Sequence, residues 1–414
     1  MKKKVLNWSR QFDTFCFLDN HQYQLQPHSQ ECLLGAGIRS AYQPGQGKAI
    51  QGLQQYLDDH QQHWLFGHLG YDLKNELDQQ LHSSHPDGIR FPDLFFFQPA
   101  IVARLNASTL TIEAEDPDVI FAEIEITSAG GATIPQQVPT IQQRFSRDEY
   151  LATIHRLRQH ILRGDCYEIN FCQEFFAEDA IIDPVKTYSR LSELSPNPFS
   201  ALYKLGDRWL ICASPERFLS RQGQRILSQP IKGTSKRVRD DERLDMENRQ
   251  ALQHSVKDRA ENVMVVDLVR NDLARVCEEG TVKVDELYGV YSFPQVHQMI
   301  STISGQLTQE ATFTDIIKAT FPMGSMTGAP KKRVMELIEQ YERTKRGIFS
   351  GAIGYMSPTG DFDFNVVIRS MMYNAPLCYL SFQAGSGITF YSDPEQEWEE
   401  CLLKAAAIRL ALEN

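Results

Sequence analysis

Residues 350–391 read SGAIGYMSPTGDFDFNVVIRSMMYNAPLCYLSFQAGSGITFY, and the fold class turns on how this stretch is read. Three strand-like apolar runs, SGAIGYM, DFNVVIRSMMYN and LCYLSFQAGSGITFY, succeed one another within it. RWLICAS, at 208–214, has the same character. Helical segments fall around 255–275, 312–320, 330–345 and 396–412, so strands and helices do not alternate in βαβ order. That pattern predicts a mixed α+β fold, largely antiparallel, rather than a doubly wound parallel sheet.

Upstream the texture changes. Up to about residue 130, short apolar stretches such as FCFLDNHQYQ, HWLFGHLGYDL and RFPDLFFFQP alternate with breaks rich in Gly, Pro and His, which suits short strands and turns. TSAGGATIPQQVPT, residues 127–140, has no apolar periodicity and is the candidate linker between an N-terminal subregion, residues 1–130, and the more regular region, residues 141–414, that follows. Residues 146–163 place Tyr150, Ile154, Leu157 and Ile161 at helical spacing behind Ser146, with Glu149 three residues on, a helix with a capping box.

A chain of 414 residues, 42% of them hydrophobic, can bury a substantial core. The formal net charge of −11, without a Lys/Arg-rich block or stripe, argues against a nucleic-acid surface. An anionic substrate would therefore need local cations. No apolar stretch is long enough to cross a bilayer, and the basic Met1–Lys4 is not followed by the apolar core of a signal peptide, so the expected compartment is the cytoplasm. The eight cysteines show neither C-x-x-C nor zinc-like spacing and read as reduced.

Several segments carry candidate chemistry. In LSQPIKGTSKR, Lys232 stands between Pro230 and Gly233, where restricted and permissive backbone adjoin and a nucleophile could be presented. In ICASPERFL, Glu216 emerges at a strand end beside an apolar wall, suiting a general acid of raised pKa. Asp258 and Glu261 share a helical face with Asn262 alongside, a pattern suited to Mg²⁺ or, equally, to a solvated face relieved by Lys257 and Arg259. Glu400 and Lys404 stand at i,i+4 in a helix opened by Asp393 and Pro394, where a plain ion pair is the simplest account. The glycines of FPMGSMTGAPKK, ahead of a helix with Thr327, Pro330 and Lys331 near its start, could offer N–H groups to a carboxylate, but lack phosphate-loop spacing. Gly385 and Gly387 allow close backbone approach, or mark a strand kink, and Arg369 could clamp a carboxylate through two N–H groups.

Seven segments occur together and in order: SPERFL, PIKGT, KDRAENVMVVDLVRND, TGAPK, RGIFSGAIGY, GSGI and DPEQEWEECLLKA. The series resembles the chorismate-utilising family of anthranilate, aminodeoxychorismate, isochorismate and salicylate synthases. The resemblance runs from about Ser146 to the C-terminus and extends weakly into the first third through FLDNH and FGHLGYDL. It implies an anthranilate synthase component I-like fold, two packed and mostly antiparallel sheets surrounded by helices with a cleft between them. For Glu216 it implies the general acid that protonates the departing ring hydroxyl of chorismate. For Glu261 and Glu400 it implies the carboxylates that hold Mg²⁺. For Ser325, Arg369, Lys404 and the backbone at Gly385 and Gly387 it implies binding of the substrate's two carboxylates.

The P-I-K-G-T form around Lys232 resembles the aminodeoxychorismate-forming branch, since anthranilate synthases carry alanine there. In that branch the lysine attacks the ring, the hydroxyl leaves, and ammonia displaces the lysine to give 4-amino-4-deoxychorismate, a precursor of p-aminobenzoate and folate. Isochorismate and salicylate synthases use a water-activating lysine in the segment matching YEINFCQ, where this chain has Glu168. Nothing resembles a glutamine amidotransferase domain, which implies ammonia from solution or from a separate glutaminase subunit in a heterodimer. Gln298 and Phe349 stand where many relatives carry histidine and tyrosine. FLDN only partly matches the tryptophan-sensing motif L-L-E-S, so tryptophan feedback is not expected. An anthranilate synthase large subunit and a non-catalytic chorismate-binding subunit remain the alternatives.

Overall fold

The computed structural model describes residues 1–23, 30–45, 47–130, 137–293 and 295–413. Residues 131–136 of the candidate linker lie outside them. In chain order the strands are β1 (Thr14–Asp19), β2 (Cys32–Tyr42), β3 (Leu65–Leu69), β4 (Leu94–Leu105), β5 (Leu110–Glu113), β6 (Gln142–Gln143), β7 (Glu168–Ala177), β8 (Phe199–Leu205), β9 (Arg208–Ser214) and β10 (Arg217–Gln222). They continue as β11 (Arg225–Gln229), β12 (Ile231–Lys236), β13 (Lys283–Ser292), β14 (Val296–Gln306), β15 (Gly328–Ala329), β16 (Ala352–Met356), β17 (Phe362–Asn365), β18 (Ser370–Asn374) and β19 (Tyr379–Ile388).

Every pairing among these strands is antiparallel. They join into one ladder, β13–β14–β11–β10–β17–β16–β3–β4–β2–β1–β8–β9–β18–β19–β7. The ladder doubles back on itself. His68 of β3 lies 3.1 Å from the Tyr203 hydroxyl of β8, and Asn365 of β17 donates to the Phe199 carbonyl at 2.8 Å. The expected two packed antiparallel sheets are therefore two layers, hydrogen-bonded to each other through β2 and β4, whose register runs from Cys32 opposite Leu105 to Tyr42 opposite Phe96.

Strand alternation builds two cores. Phe15 and Phe17 of β1 point into one and Cys16 into the other, and Leu202 and Tyr203 of β8 divide the same way. Helices Lys2–Ser9, Arg147–Leu162, Pro184–Leu194 and Pro394–Leu412 bury Leu6, Ile154, Tyr188 and Ile408 in the first of these. Helices Val256–Leu273 and Phe313–Thr320 bury Val266 and Ile316 in the second. Each fully buried aliphatic or Phe side chain contributes roughly 1.5–3 kcal/mol. The Arg147–Leu162 helix begins as its sequence predicts: the Ser146 hydroxyl accepts from the Glu149 N–H, and the Glu149 carboxylate accepts from the Ser146 N–H.

Two of the short links that pass from one layer to the other are Pro215–Glu216 between β9 and β10, and Val366–Arg369 between β17 and β18. They are clasped side by side. Ser214 donates its hydroxyl to the Val366 carbonyl at 2.6 Å, Val366 N–H donates to the Glu216 carbonyl at 3.0 Å, and Ala213 N–H donates to the Arg369 carbonyl at 3.1 Å. Arg369 adopts φ of +51°, the left-handed region that non-glycine residues enter at a cost of about 1 kcal/mol or more.

Candidate functional site

The clasped links put two charged side chains, Glu216 and Arg369, at the seam between the layers. Glu216 is 4% exposed. Burial penalises its charged form and pushes the carboxyl up to about 7, against the pull of the Ser325 hydroxyl, the Lys232 ammonium and the Ile231 N–H. Ser325 belongs to the tight turn Gly324–Met326 and borders, with Glu216, a small pocket whose apolar wall includes Phe218, Val269 and Met323.

Lys232 lies where β12 slips register against β14, between Ile231 and Thr234. Such an irregularity redirects a side chain that the regular ladder would hold in line. Gly233 enables it with φ of +93°; a Cβ there would approach Asp258 to 3.0 Å. Lys232 Nζ stands 2.5 Å from Glu168 Oε1, with the two side chains only 11% and 2% exposed. Burial alone would push the ammonium down, but the carboxylates of Glu168, Glu261 and Glu216 outweigh it and keep the lysine above its ordinary value. On the neighbouring β19, a Cβ at Gly387 would fall 2.5 Å from Glu168 Oε1 and 2.8 Å from Lys232 Nζ, so this glycine makes room for the pair. Gly385 answers a different need: its Cβ would stand 1.8 Å from the Phe171 carbonyl of β7, a backbone clash. The Gly385 carbonyl accepts from Lys404 Nζ at 2.9 Å.

The facing wall comes from two helices. Val256–Leu273 carries Asp258 and Glu261. Burial chiefly pushes Glu261 up to about 7, with Lys232 and Lys257 opposing and Glu168 and Asp258 reinforcing. Its Oε1 is buried without a hydrogen-bond partner, and Lys257 Nζ stands 3.9 Å away. Pro394–Leu412, capped by Asp393, brings Glu397, Glu400 and Lys404 to one face. Lys404 pairs with Glu400 at 2.6 Å. Burial opposes ionisation of Glu400, yet Lys404, Lys257 and Lys232 keep its carboxyl below the usual range. Arg369 Nη1 donates to the Lys404 carbonyl at 3.4 Å, and no ion pair engages its guanidinium among the described residues. A substrate carboxylate would complete it.

This wall suits a divalent cation. Glu397, Glu261 and Glu400 surround Lys257 closely enough to raise it against burial, and Glu261 Oε1 accepts no hydrogen bond, so it keeps lone pairs that a cation could take in place of the 3.9 Å ion pair with Lys257. Among the described residues no group of three or more His, Cys, Asp or Glu side chains is arranged to hold a metal. A Mg²⁺ site does not require one, because this ion takes one or two carboxylates and fills its octahedron with water and substrate oxygens.

The structure thus gathers Glu216, Lys232, Ser325, Glu261, Glu400, Arg369, Lys404 and Gly387 around one seam, with Gly385 as structural support for it. Three participants were not singled out from sequence. Glu168 enters the sequence reading only as a replacement for a lysine, yet it is the partner of Lys232. Glu397 reads as an ordinary first-turn acid, yet it is 1% exposed and accepts from Ser386 at 2.5 Å and from Lys257 at 3.4 Å; its position three residues before Glu400 is the available signal. Arg346 makes two hydrogen bonds to Glu342 at 2.9 and 2.6 Å and donates to the Met326 and Asn170 carbonyls at 2.7 and 2.8 Å, tying the Ser325 turn to β7. The i,i+4 spacing of Glu342 and Arg346 hints at this pair, but nothing local shows that it is buried. Gln298 is buried on β14 with its Oε1 unpartnered, and Phe349 belongs to the core. The cysteines are all free.

The chain belongs to the chorismate binding enzyme family, whose sequence profile matches residues 6–410. It is 36% identical over 351 residues to aminodeoxychorismate synthase component 1 of Salmonella typhimurium, covering 84% of this chain and 76% of that protein. It is 33% identical over 367 residues to anthranilate synthase component 1 of Thermus thermophilus, covering 84% and 77%. The crystal structure of anthranilate synthase component I from Streptococcus pneumoniae superposes with a TM-score of 0.81 at 25% identity, over 94% of each chain. Among the described residues no helix is long and apolar enough to cross a membrane.

Proposed function

We propose that this protein aminates chorismate to 4-amino-4-deoxychorismate with ammonia, and that a separate glutaminase subunit delivers the ammonia. The observation that carries the reading is Lys232, a primary amine on a strand irregularity, mostly shielded from solvent and close enough to the buried Glu216 for each to influence the other's charge. A two-step displacement needs a nucleophile and an acid in one dry pocket, and a direct amination does not.

In this mechanism Arg369 and Lys404 bind the substrate carboxylates, Lys404 exchanging Glu400 for the substrate. Mg²⁺ held by Glu261 and Glu400 would neutralise the ring carboxylate that an acidic protein otherwise repels. Lys232 attacks the ring as a neutral amine, and Glu216 gives its proton to the departing hydroxyl, which leaves as water. A carboxyl that titrates at about 7 still carries that proton in a useful fraction of molecules at neutral pH. Ammonia then adds where the hydroxyl was, and the Lys232 nitrogen leaves.

The test is incubation of the purified chain with chorismate, Mg²⁺ and an ammonium salt, followed by an aminodeoxychorismate lyase and assay of p-aminobenzoate. Product formation that the Lys232→Ala variant loses supports the reading. Anthranilate and pyruvate from the wild type would move the protein to the anthranilate-forming branch, and binding without turnover would make it a non-catalytic subunit.

A further inference from the structure

We propose that Glu168 is the catalytic base that removes the proton from Lys232 before attack and returns it when the lysine is released. The inference rests on the amination proposed above and adds to it the group that makes the nucleophile competent.

An ammonium has no lone pair, so Lys232 must lose a proton before its nitrogen can bond to carbon. The acidic groups placed to influence it are Glu168, Glu216, Glu261 and Glu400. Glu216 has to keep its own proton to act as the acid. Glu261 and Glu400 lie on the wall that suits a cation. Glu168 is the one within hydrogen-bonding distance, at 2.5 Å. Its second oxygen, Oε2, is buried without a hydrogen-bond partner, so the carboxylate has spare acceptor capacity.

The backbone holds this base in place from both sides. Gly328 and Ala329 of β15 pair with Ile169 and Glu168, and a Cβ at Gly328 would stand 2.0 Å from the Glu168 carbonyl. Tyr167 N–H donates to the Ala329 carbonyl and Asn170 N–H to the Thr327 carbonyl, both at 2.7 Å. On the other side β19 runs past, with Gly387 leaving room for the carboxylate and the amine together.

The protons balance. Glu168 accepts H⁺ from the Lys232 ammonium; the neutral amine forms a C–N bond as the C–O bond breaks, and Glu216 protonates the leaving oxygen to give water. Ammonia forms the second C–N bond as the Lys232–carbon bond breaks, releasing a neutral amine. Glu168 gives its proton back to that amine, and the new ammonium on the product reprotonates Glu216. The net change is chorismate plus ammonia to aminated product plus water.

The Glu168→Gln variant separates a base from a mere counter-charge, because the two roles predict rate changes of opposite sign. Without the negative charge Lys232 holds its proton less tightly, so a larger fraction is neutral at a given pH. If Glu168 were only a counter-charge, the variant would be as fast as wild type or faster. As a base, its loss lowers turnover by roughly 10²- to 10⁴-fold.

Both proteins, and Glu168→Asp, would be assayed for turnover across pH 6–9 with saturating Mg²⁺. The pH midpoint of Lys232 acetylation by acetic anhydride is read separately by mass spectrometry, from brief labelling over a range extended to the alkaline side of pH 10, where this lysine titrates. The expected result is a lower labelling midpoint together with slower turnover in Glu168→Gln, and partial recovery in Glu168→Asp. Turnover at or above wild type, or an unmoved midpoint, would overturn the assignment. A wild type that makes no aminated product sinks the amination reading itself, and the labelling midpoint then still decides whether Glu168 controls the Lys232 proton.

Discussion

Two lysine–glutamate pairs line the seam, and they match in length but little else. Lys232 and Glu168 meet at 2.5 Å from separate strands, 11% and 2% exposed. Lys404 and Glu400 meet at 2.6 Å on one turn of a helix, 29% and 42% exposed. The first pair was brought together across 64 residues of chain and is largely shielded from water; the second is available to any helix that spaces the residues four apart. Coulomb attraction grows as the local dielectric falls, and so does the cost of leaving either partner alone. The buried pair therefore suits chemistry in which the place of one proton matters. The open pair suits exchange, where a lysine trades one carboxylate for another when an anionic ligand arrives.

If that contrast is right, removing the lysine should be felt very differently on the two sides. Lys232→Met leaves Glu168 buried without its cation, a change that costs about 3–5 kcal/mol. Urea unfolding at pH 8 should show a loss of that size, and the loss should shrink at low pH, where protonation removes the stranded charge. A loss below 1 kcal/mol would mean that water reaches the pair and that the two walls are not different.

The acid in the same dry wall gives the next largest effect. A carboxyl raised from 4.5 to about 7 on folding weakens the fold as pH climbs through that window, since the unfolded chain ionises first. Complete ionisation costs about 3 kcal/mol at 1.36 kcal/mol per pH unit. Glu216→Gln carries no such penalty. Its stability relative to wild type should therefore rise between pH 4.5 and 7 and level off above, and melting temperatures at pH 5 and pH 8 test it. A difference that does not change with pH would place Glu216 in contact with solvent.

These contrasts mark the limit of what the sequence discloses. The Ser146 capping box, the Glu400–Lys404 pair and the runs SGAIGYM and LCYLSFQAGSGITFY are written in spacings of two to four residues, and each stands in the structure. The run DFNVVIRSMMYN, expected as one strand, is instead split into β17 and β18 by the Val366–Arg369 link, because the chain changes layers there. The ladder is not written locally. That β3 lies beside β16, or that β7 brings Glu168 under Lys232, follows from pairings between distant segments, which no periodicity reports. Burial of Glu216 and Arg346 is equally hidden, because it depends on which layers close over them. Ordered motifs allowed the site residues to be named together; their partners emerged only from packing.

The two glycines of GSG sharpen the comparison within a single strand. Gly385→Ala sets a Cβ 1.8 Å from a backbone carbonyl, which cannot swing aside, whereas Gly387→Ala sets one against the ends of two long side chains, which can. Overpacking of the first kind costs about 1–3 kcal/mol. The Gly385 variant should therefore lose more melting temperature, while the Gly387 variant should stay nearer wild type in stability and change the acetylation rate of Lys232 by displacing it from Glu168. Equal melting temperatures with unchanged labelling would break the distinction.

The smallest stability effect belongs to the open wall. Lys404→Met removes a partly exposed i,i+4 partner, worth a few tenths of a kcal/mol, together with one hydrogen bond to the Gly385 carbonyl, worth about 1 kcal/mol. Unfolding should consequently register about 1–1.5 kcal/mol, well below the Lys232→Met loss. Chorismate binding should respond more strongly, because a charge-assisted hydrogen bond contributes about 1.5–3 kcal/mol, which is roughly 10- to 150-fold in affinity. Calorimetric titration of the variant with chorismate in the presence of Mg²⁺ measures that term directly. A variant that binds chorismate as well as wild type would show that Lys404 stays with Glu400 when the substrate arrives, and would leave Arg369 as the cation that answers the carboxylate.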